Sequence, residues 1–303
     1  MRYLVTGGAG FIGSHLVRAL REQGHKVVVV DNLHTGSKDA IPSDVEFIPK
    51  GMEEVGAERI GRVDSIFHLG IPSSSPMYKE NPELISRAVK GFENALELAR
   101  KDNAKLVFAS TSSLYNGLQP PHKEDMAIIP LDIYTEVRLF FERLAQAYAS
   151  LYGIEWAGLR LFSVYGPGEE NKGRFANLIS QFIWSIGKDE PPLVYGDGSQ
   201  TRDFIFISDV VRGLLLAEEK GSGVLNLGTG KSSTVNDIAG KINDVLGKDV
   251  RPIYQPNPIR NYVQHTLADI GRMRRLGFRP SVELKQGIEK TAEYYRKKGI
   301  VKG

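Results

Sequence analysis

A glycine-rich turn directly follows the first apolar stretch of the chain. The stretch is Tyr3-Leu4-Val5, and the turn is Thr6-Gly7-Gly8-Ala9-Gly10-Phe11-Ile12-Gly13. A G-x-x-G-x-x-G spacing lets the backbone leave a strand sharply and start a helix that packs closely on the sheet. The first N–H groups of such a helix, with the positive end of its dipole, bind a pyrophosphate. The turn therefore predicts a dinucleotide site, although alone it also fits a strand-to-helix turn without a ligand.

The residues after the turn favour the dinucleotide interpretation. Apolar residues recur at helical spacing up to Gly24, and a second strand, 26–30, ends in Asp31. Asp31 lies 18 residues after Gly13, where a carboxylate accepts hydrogen bonds from the ribose hydroxyls of adenosine. Because a carboxylate repels a 2′-phosphate, the sequence favours NAD, while Lys38 leaves NADP open.

Composition excludes several classes of protein. The chain of 303 residues is 41% hydrophobic, which allows a substantial core. Its net charge is only +3, and apart from Arg272, Arg274 and Arg275 the basic residues are scattered, so we expect no nucleic-acid partner. There are no cysteines, which excludes disulfides and thiolate metal sites, and we expect no metal.

The chain also lacks the signals of secretion or membrane insertion. No apolar run approaches the ~20 residues that a membrane helix requires. The first strand begins at residue 2 or 3, which leaves no room for a signal peptide. We therefore expect a cytoplasmic protein with no membrane partner.

Alternating strand and helix patterns fill the first half of the chain. They predict strands at 3–6, 26–30, 45–48, 65–69, 105–109 and 155–161, and helices at 12–23, 53–60, 83–101 and 134–151. This order predicts an α/β fold with a doubly wound parallel (Rossmann) sheet. The second half has more proline, glycine-rich turns and shorter helices such as 235–246, which indicates a smaller C-terminal α/β substrate domain. We expect an NAD-binding domain at 1–163 and a substrate domain at 164–303, closely packed, with some segments returning to the first.

Two of the helices have broad apolar faces. These are the helices that carry Leu84, Phe92 and Leu96, and Tyr134, Phe141 and Tyr148. Core packing explains part of each face, and a four-helix interface in a homodimer would explain the rest.

Motifs along most of the chain carry a family resemblance. They are Thr6–Gly13, Asp31-Asn32-Leu33, His68-Leu69, Arg160-Leu161-Phe162, Tyr165-Gly166-Pro167-Gly168, the segment from Tyr195 to Phe204, and Asn226–Gly230. With Thr111 at a strand end and Tyr134 at a helix start, the chain resembles the extended short-chain dehydrogenase/reductase family. Within that family it is similar to the nucleotide-sugar 4-epimerases typified by UDP-galactose 4-epimerase.

The resemblance implies a reaction centre. In the family, a Tyr-x-x-x-Lys pair and a Ser or Thr on the preceding strand end remove a proton from a sugar hydroxyl while hydride passes to nicotinamide. Tyr134 and Thr111 match the tyrosine and the hydroxyl residue, but Arg138 replaces the lysine. Arginine keeps the charge and changes the geometry, so a working arginine variant, an impaired enzyme and an altered sequence all stay open. Tyr134 would also fit an aromatic that only packs at a helix start.

The two residues after Thr111 reduce the number of reactions that the resemblance allows. Related 4,6-dehydratases carry Asp-Glu after the threonine, and related decarboxylases keep a glutamate at the second of these positions. Here both positions are serines, Ser112 and Ser113. Without carboxylates for elimination, the resemblance favours epimerisation at C4 of a UDP-hexose or its N-acetyl analogue. Another nucleotide-sugar dehydratase or reductase, and an NAD-binding protein with lost catalysis, are the alternatives.

The resemblance also implies the binding residues. For substrate they are Thr111, Ser163, Asn177, Tyr195, Arg202 and Arg260. Arg202 matches the arginine that grips the diphosphate, although a salt bridge to Asp203 or Asp209 would be an alternative role. For NAD they are Gly7, Gly10, Phe11, Ile12, Gly13, Asp31, Asn32, Leu33, Thr35, Gly36, Met52, Leu69, Gly70, Ile71, Tyr134, Arg138 and Phe162.

Overall fold

A computed structural model of the protein describes residues 1–257 and 262–301. The described residues group into two units, each built from separate stretches of the chain. Unit 1 comprises Met1–Leu114, Ala127–Arg160 and Val211–Leu225. Unit 2 comprises Tyr115–Met126, Leu161–Val210 and the described part of Asn226–Gly303.

The strands of the described residues form one large sheet and three small ones. In chain order they are β1 (Arg2–Thr6), β2 (Lys26–Val30), β3 (Glu46–Ile48), β4 (Ser65–His68), β5 (Lys105–Thr111), β6 (Trp156–Leu161), β7 (Ser163–Tyr165), β8 (Leu193–Tyr195), β9 (Thr201–Arg202), β10 (Phe204–Phe206), β11 (Gly223–Leu227), β12 (Ser233–Thr234) and β13 (Ile253–Gln255). The large sheet has the order β11-β6-β5-β4-β1-β2-β3 and is parallel. The predicted Rossmann-type sheet is therefore confirmed.

Helices of the described residues flank these strands. They are α1 (Phe11–Glu22), α2 (Ala57–Ile60), α3 (Ser75–Glu80), α4 (Leu84–Asp102), α5 (Ile133–Tyr152), α6 (Leu178–Ile186), α7 (Ile207–Lys220), α8 (Val235–Leu246), α9 (Gly271–Arg275) and α10 (Leu284–Lys297). The predicted helix at 53–60 is wrong. Val55 and Gly56 have extended backbones, so a 3₁₀ turn at Met52–Glu54 and the short α2 replace it.

The sheet brings the predicted dinucleotide residues to one edge. Thr6, at the end of β1, is in register with Val30 of β2 and His68 of β4, and His68 is in register with Phe108 of β5. Val27–Val30 are buried, as expected for a parallel strand covered on both faces. The segments after β1, β2 and β4, which carry Gly7, Asp31 and Gly70, therefore emerge at the same edge, where β5 ends at Thr111.

The start of α5 is fixed by its own sequence. Asp132 is the N-cap: its side chain accepts a hydrogen bond from the Thr135 N–H at 2.8 Å, and the Thr135 hydroxyl interacts in return with the Asp132 N–H. This capping box defines where the first turn begins. Tyr134 lies in that turn, so the cap holds the backbone that carries it.

Unit 2 contains the small sheets. β7 pairs in parallel with β10, β9 pairs antiparallel with β12, and β8 pairs in parallel with β13. The buried carboxylate of Asp203 binds two further loops of this unit by accepting hydrogen bonds from the N–H groups of Thr229 and Gly230 in one and of Ala268 in the other. Among the described helices of both units, none combines the length and apolar character that a membrane crossing requires.

Candidate active site

The glycine turn is too tightly packed for side chains. Gly7 has φ +68°, and a Cβ there would lie 2.6 Å from the Cα of Gly70. A Cβ on Gly13 would overlap the carbonyl oxygen of Gly7. Helix α1 starts after Gly10, with no side chain capping it and no acidic residue in its first turn. The positive end of the helix dipole therefore has neither a capping side chain nor an acidic residue of its own first turn, which suits a pyrophosphate.

Asp31 connects the glycine turn to the loop after β2. Its Oδ2 accepts a hydrogen bond from the Ala9 N–H at 2.9 Å, and its Oδ1 accepts one from the Leu33 N–H at 2.7 Å. Burial raises the pKa of this carboxyl, against the opposing effect of these hydrogen bonds. Each carboxylate oxygen has a further lone pair for a ribose hydroxyl. The residues present thus fit an adenosine dinucleotide.

The loop after β2 approaches the glycine turn closely. The backbone of Leu33 is left-handed, with φ +60°, which is uncommon for a residue with a side chain. A Cβ on Gly36 would lie 2.7 Å from the carbonyl carbon of Ala9. Strain and close approach of this kind concentrate at ligand-binding loops. Asn32 and Thr35 belong to the same loop, and their contact with NAD stays a prediction.

Gly70, in the loop after β4, packs against the glycine turn. The Gly70 N–H donates to the Thr6 hydroxyl at 3.0 Å, and that hydroxyl lies 2.9 Å from Nδ1 of His68. A Cβ on Gly70 would lie 2.7 Å from the Gly7 nitrogen. The absence of a side chain at Gly70 therefore lets the two loops approach each other.

Arg138 lies against Tyr134 in unit 1. The Cζ of Arg138 is 5.2 Å from the centroid of the Tyr134 ring. Its Nη1 donates to the Ala109 carbonyl at 2.8 Å, and its Nη2 donates to the Pro72 carbonyl at 2.9 Å. Arg138 is only 3% exposed. Both acceptors are neutral carbonyls, so these two hydrogen bonds place no negative charge against the guanidinium beside the phenol.

The charge of Arg138 acts on further buried groups. Burial, and secondarily the Arg138 charge, lower the pKa of His68 to about 3. Tyr78, which the sequence analysis missed, is buried with its ring 6.0 Å from the Tyr134 ring. Burial raises the pKa of Tyr78 to about 12, although the Arg138 charge opposes the rise. Both His68 and Tyr78 are therefore neutral at physiological pH.

Thr111 ends β5 and is buried. Its hydroxyl oxygen accepts a hydrogen bond from the Ser113 N–H at 3.1 Å. The preceding Ser110 donates its hydroxyl to Oε1 of Glu142 at 2.5 Å. Glu142 was also missed, and the only sequence signal for it was its position four residues after Arg138.

The predicted substrate residues of the described chain lie in unit 2, Thr111 excepted. Ser163 donates its N–H to the Asp203 carbonyl at 3.0 Å, so it lies beside the strand segment that follows Arg202. The Tyr195 carbonyl accepts a hydrogen bond from Gln200 at 2.8 Å. Asn177 is the N-cap of α6, and its side chain accepts from the Ile179 N–H. Arg260 lies outside the described residues.

Arg202 is half-buried, and its guanidinium binds neutral groups. It donates to the carbonyls of Thr201 and Gln264 at 2.8 and 3.1 Å, and also to that of Val263. Asp203 accepts hydrogen bonds from backbone N–H groups and Asp209 accepts them from Ser281 and Val282, so the described partners of Arg202 are carbonyls, and the suggested salt bridge stays an alternative. Burial lowers the pKa of Arg202. Its partners among the described residues are these carbonyls and the Tyr262 ring, whose centroid lies 5.1 Å from Cζ, so the cation is suited to attract an anion.

Three other predicted NAD residues are largely enclosed by protein. Phe162 is buried in unit 2, where its ring stacks with those of Tyr115 and His122. Met52 is 3% exposed and Ile71 is 7% exposed. Their contact with NAD, and that of Leu69, stay predictions.

Comparison with known proteins identifies the family. The sequence profile of the NAD dependent epimerase/dehydratase family matches residues 3–228. The protein belongs to this family. As a member of the NAD-dependent epimerase/dehydratase family, the protein is an enzyme with NAD as its cofactor. This cofactor agrees with the prediction from the glycine turn and Asp31.

Relatives within the family differ in their reactions. The chain is 36% identical over 301 residues to a putative UDP-glucose 4-epimerase of Methanocaldococcus jannaschii, covering 97% of this chain and 98% of that one. It is 34% identical over 308 residues to UDP-glucuronic acid decarboxylase 1 of Xenopus tropicalis, covering 98% and 72%. The crystal structure of UDP-glucose 4-epimerase with UDP-glucose from Thermotoga maritima is similar with a TM-score of 0.93 and 32% identity, covering 98% and 99%.

Proposed function

We propose that this family member is a UDP-sugar 4-epimerase that inverts C4 of UDP-glucose or UDP-galactose, or of their N-acetyl analogues. The observation that carries the proposal is the pairing of the Tyr134 phenol with the Arg138 cation in unit 1, without a carboxylate at the positions after Thr111. This set of groups suits proton transfer at one hydroxyl. The relatives from Methanocaldococcus jannaschii and Thermotoga maritima support the same reaction.

In the proposed mechanism, Tyr134 removes the proton of the C4 hydroxyl. The Arg138 charge stabilises the phenolate that forms, and the Thr111 hydroxyl orients the sugar oxygen. NAD supplies the hydride acceptor and, later, the donor. The 4-keto sugar then rotates, so that its opposite face is presented for reduction. Tyr134 returns the proton to the C4 oxygen as C4 is reduced. No net oxidation results.

The alternative reactions of the family need an available acid or base near the sugar. Ser112 and Ser113 stand at the two positions where such carboxylates are expected. Glu142 accepts a hydrogen bond from Ser110, the residue before Thr111. It is also bound by Arg160, whose Nε and Nη2 donate to its two oxygens at 2.9 and 2.7 Å. It therefore lacks the freedom to abstract a proton from substrate. Elimination and decarboxylation are thus the less favoured reactions.

Arg202 is the proposed diphosphate ligand. Its planar fork can bind two phosphate oxygens, and the carbonyls that hold it leave its charge available. Ser163, Asn177, Tyr195 and Arg260 complete the proposed nucleotide contacts. We propose UDP as the nucleotide because the relatives with stated activities act on UDP sugars.

We also propose a homodimer through α4 and α5. Phe140 and Leu151 are three turns apart on α5 and are 42% and 72% exposed, and Ile133 is 42% exposed. Large apolar side chains that recur along one helix face indicate a protein interface. A second copy of the same helix pair would cover them in a two-fold symmetric dimer.

The test of the proposed function is a product assay with purified protein and NAD. UDP-glucose, UDP-galactose, both N-acetyl analogues and UDP-glucuronic acid are incubated separately, and products, reduced NAD and carbon dioxide are measured. The proposal predicts equilibration of C4 epimers without net NAD reduction. Carbon dioxide from UDP-glucuronic acid, or a released keto sugar, would contradict it. The matched control is Tyr134→Phe, which should abolish turnover and keep the fold.

A further inference from the structure

A buried ion pair lies two turns along α5 from Tyr134. Glu142 and Arg160 form a bidentate pair whose side chains are 5% and 4% exposed. Glu142 also accepts the Ser110 hydroxyl. A carboxylate with three such donors is well compensated in the interior.

Glu142 lies on the same helix face as the reaction centre. Tyr134, Arg138 and Glu142 are spaced four residues apart, so their side chains follow one another along α5. Oppositely charged residues at i and i+4 are within reach of each other. Arg138 and Glu142 have that spacing, and arginine has a long, forked side chain. The two are nevertheless directed to different partners.

Arg138 and Glu142 bind two consecutive residues of β5. Arg138 donates to the carbonyl of Ala109, and Glu142 accepts from the hydroxyl of Ser110. Thr111 follows directly. Two successive turns of α5 are therefore joined to two successive residues of the strand, immediately before the predicted hydroxyl residue of the site.

We infer that Arg160 and Ser110 hold Glu142 away from Arg138 and so keep the guanidinium over the Tyr134 ring. A buried carboxylate without a partner recruits the nearest cation, because an uncompensated buried charge is very costly. If Arg160 is removed, Arg138 is the cation that the i,i+4 spacing places within reach of Glu142. Its guanidinium would leave the Ala109 carbonyl and its charge would be neutralised. Arg160, Ser110 and Glu142 are thus positioning residues.

The test compares Arg160→Met with the double variant Glu142→Gln, Arg160→Met. Because residues of one hydrogen-bond network are energetically coupled, Arg160→Met should lower kcat about tenfold with KM within about threefold. The double variant, which has no charge to capture Arg138, should recover kcat to within about threefold of the parent. Arg160→Lys should also recover it. A double variant as slow as Arg160→Met would overturn the inference, because a purely structural pair predicts that result.

The kinetic measurement rests on the proposed function. Crystal structures of the variants test the inference independently of that function. In Arg160→Met we expect Glu142 within ion-pair distance of Arg138, and in the double variant Arg138 still bound to Ala109. If Arg138 keeps its place in Arg160→Met, the inference fails even in an active enzyme. If the parent lacks epimerase activity, the structures alone decide.

Controls address folding and unspecific charge effects. Glu293 and Lys297 form an exposed i,i+4 pair on α10, and Lys297→Met with and without Glu293→Gln should leave kcat unchanged. If Arg160→Met does not fold, Arg160→Gln, which keeps an amide donor for Glu142, takes its place. Glu142→Gln alone should then retain more activity than Arg160→Gln, and equal losses would contradict the inference.

Discussion

The Arg138 guanidinium lies over the Tyr134 ring, with Cζ 5.2 Å from the ring centroid, while the carbonyls of Ala109 and Pro72 hold its two terminal nitrogens. This arrangement uses the planar fork of arginine. A lysine would offer one nitrogen in place of two. The local structure is therefore built around arginine, which favours a working arginine variant of the family's Tyr-x-x-x-Lys pair.

Arg138→Lys should therefore weaken the enzyme. We expect the loss of one buried hydrogen bond to lower the free energy of unfolding by about 1 kcal/mol, and kcat to fall about threefold to tenfold as the charge shifts. Thermal melting and steady-state kinetics measure the two effects. Arg143→Lys, on the exposed face of α5, is the matched control. A higher kcat in Arg138→Lys would mean that arginine handicaps the site.

Asp31 should make NAD binding depend on pH. Burial raises its pKa, so it takes up a proton at higher pH than an exposed aspartate. Only the ionised form accepts hydrogen bonds with both oxygens, so affinity is full above the raised pKa and falls as pH drops through it. We expect Asp31→Asn to weaken NAD binding about tenfold and to flatten the pH dependence. Calorimetric titration checks this, with exposed Asp39→Asn as control; an equal pH dependence in Asp31→Asn would refute it.

His68 should destabilise the fold in mild acid. Its pKa is about 3 in the folded protein, because of burial and then the Arg138 charge, against ~6.5 unfolded. The contribution of neutral His68 to the free energy of unfolding is therefore complete above pH ~6.5 and is lost progressively as the pH falls towards 3. At pH ~5 the loss is about 2 kcal/mol.

Urea unfolding of the parent and His68→Gln at two pH values measures this contribution. The parent should lose about 2 kcal/mol more than His68→Gln between pH ~8 and pH ~5. His122 is also buried, but it is present in both proteins and cancels. Equal losses in the two proteins would contradict the assignment.

Arg202 should govern nucleotide affinity. Hydrogen bonds between charged groups contribute about 1.5–3 kcal/mol, so Arg202→Met should raise the Kd for UDP about tenfold to a hundredfold. The same variant should raise KM more than it lowers kcat. Arg251, an exposed arginine of unit 2, provides the control Arg251→Met. Unchanged UDP affinity in Arg202→Met would exclude Arg202 as a diphosphate ligand.

Phe140 tests the proposed dimer. A glutamate at this exposed apolar position would place two like charges in the interface, so Phe140→Glu should convert a dimer into a monomer. Sedimentation velocity distinguishes the two states. Gln146→Glu adds the same charge at an exposed polar position of α5 and should remain dimeric. A parent protein that sediments as a monomer would refute the interface.

The features that sequence predicted well are local ones. The glycine turn, Asp31 at the end of β2 and the helix that carries Tyr134 are each specified by residues a few positions apart. The prediction at 53–60 failed because apolar periodicity alone did not reveal that Val55 and Gly56 adopt extended backbones.

The missed features depend on contacts between distant residues. Arg138 binds Pro72 across 66 positions and Ala109 across 29, and Glu142 binds Ser110 across 32. No sequence spacing reports such partners. The sequence showed that arginine replaced a lysine, while only the structure showed which carbonyls the fork binds.

The most direct measurement of the central claim is the fate of a deuterium at C4. UDP-galactose labelled at C4 is incubated with the enzyme and NAD, and the UDP-glucose formed is analysed by NMR and mass spectrometry. The account predicts UDP-glucose that retains deuterium at C4, because hydride leaves and returns to the same carbon. Epimerised product with solvent hydrogen at C4, or no epimerised product with any of the four UDP sugars, would contradict it.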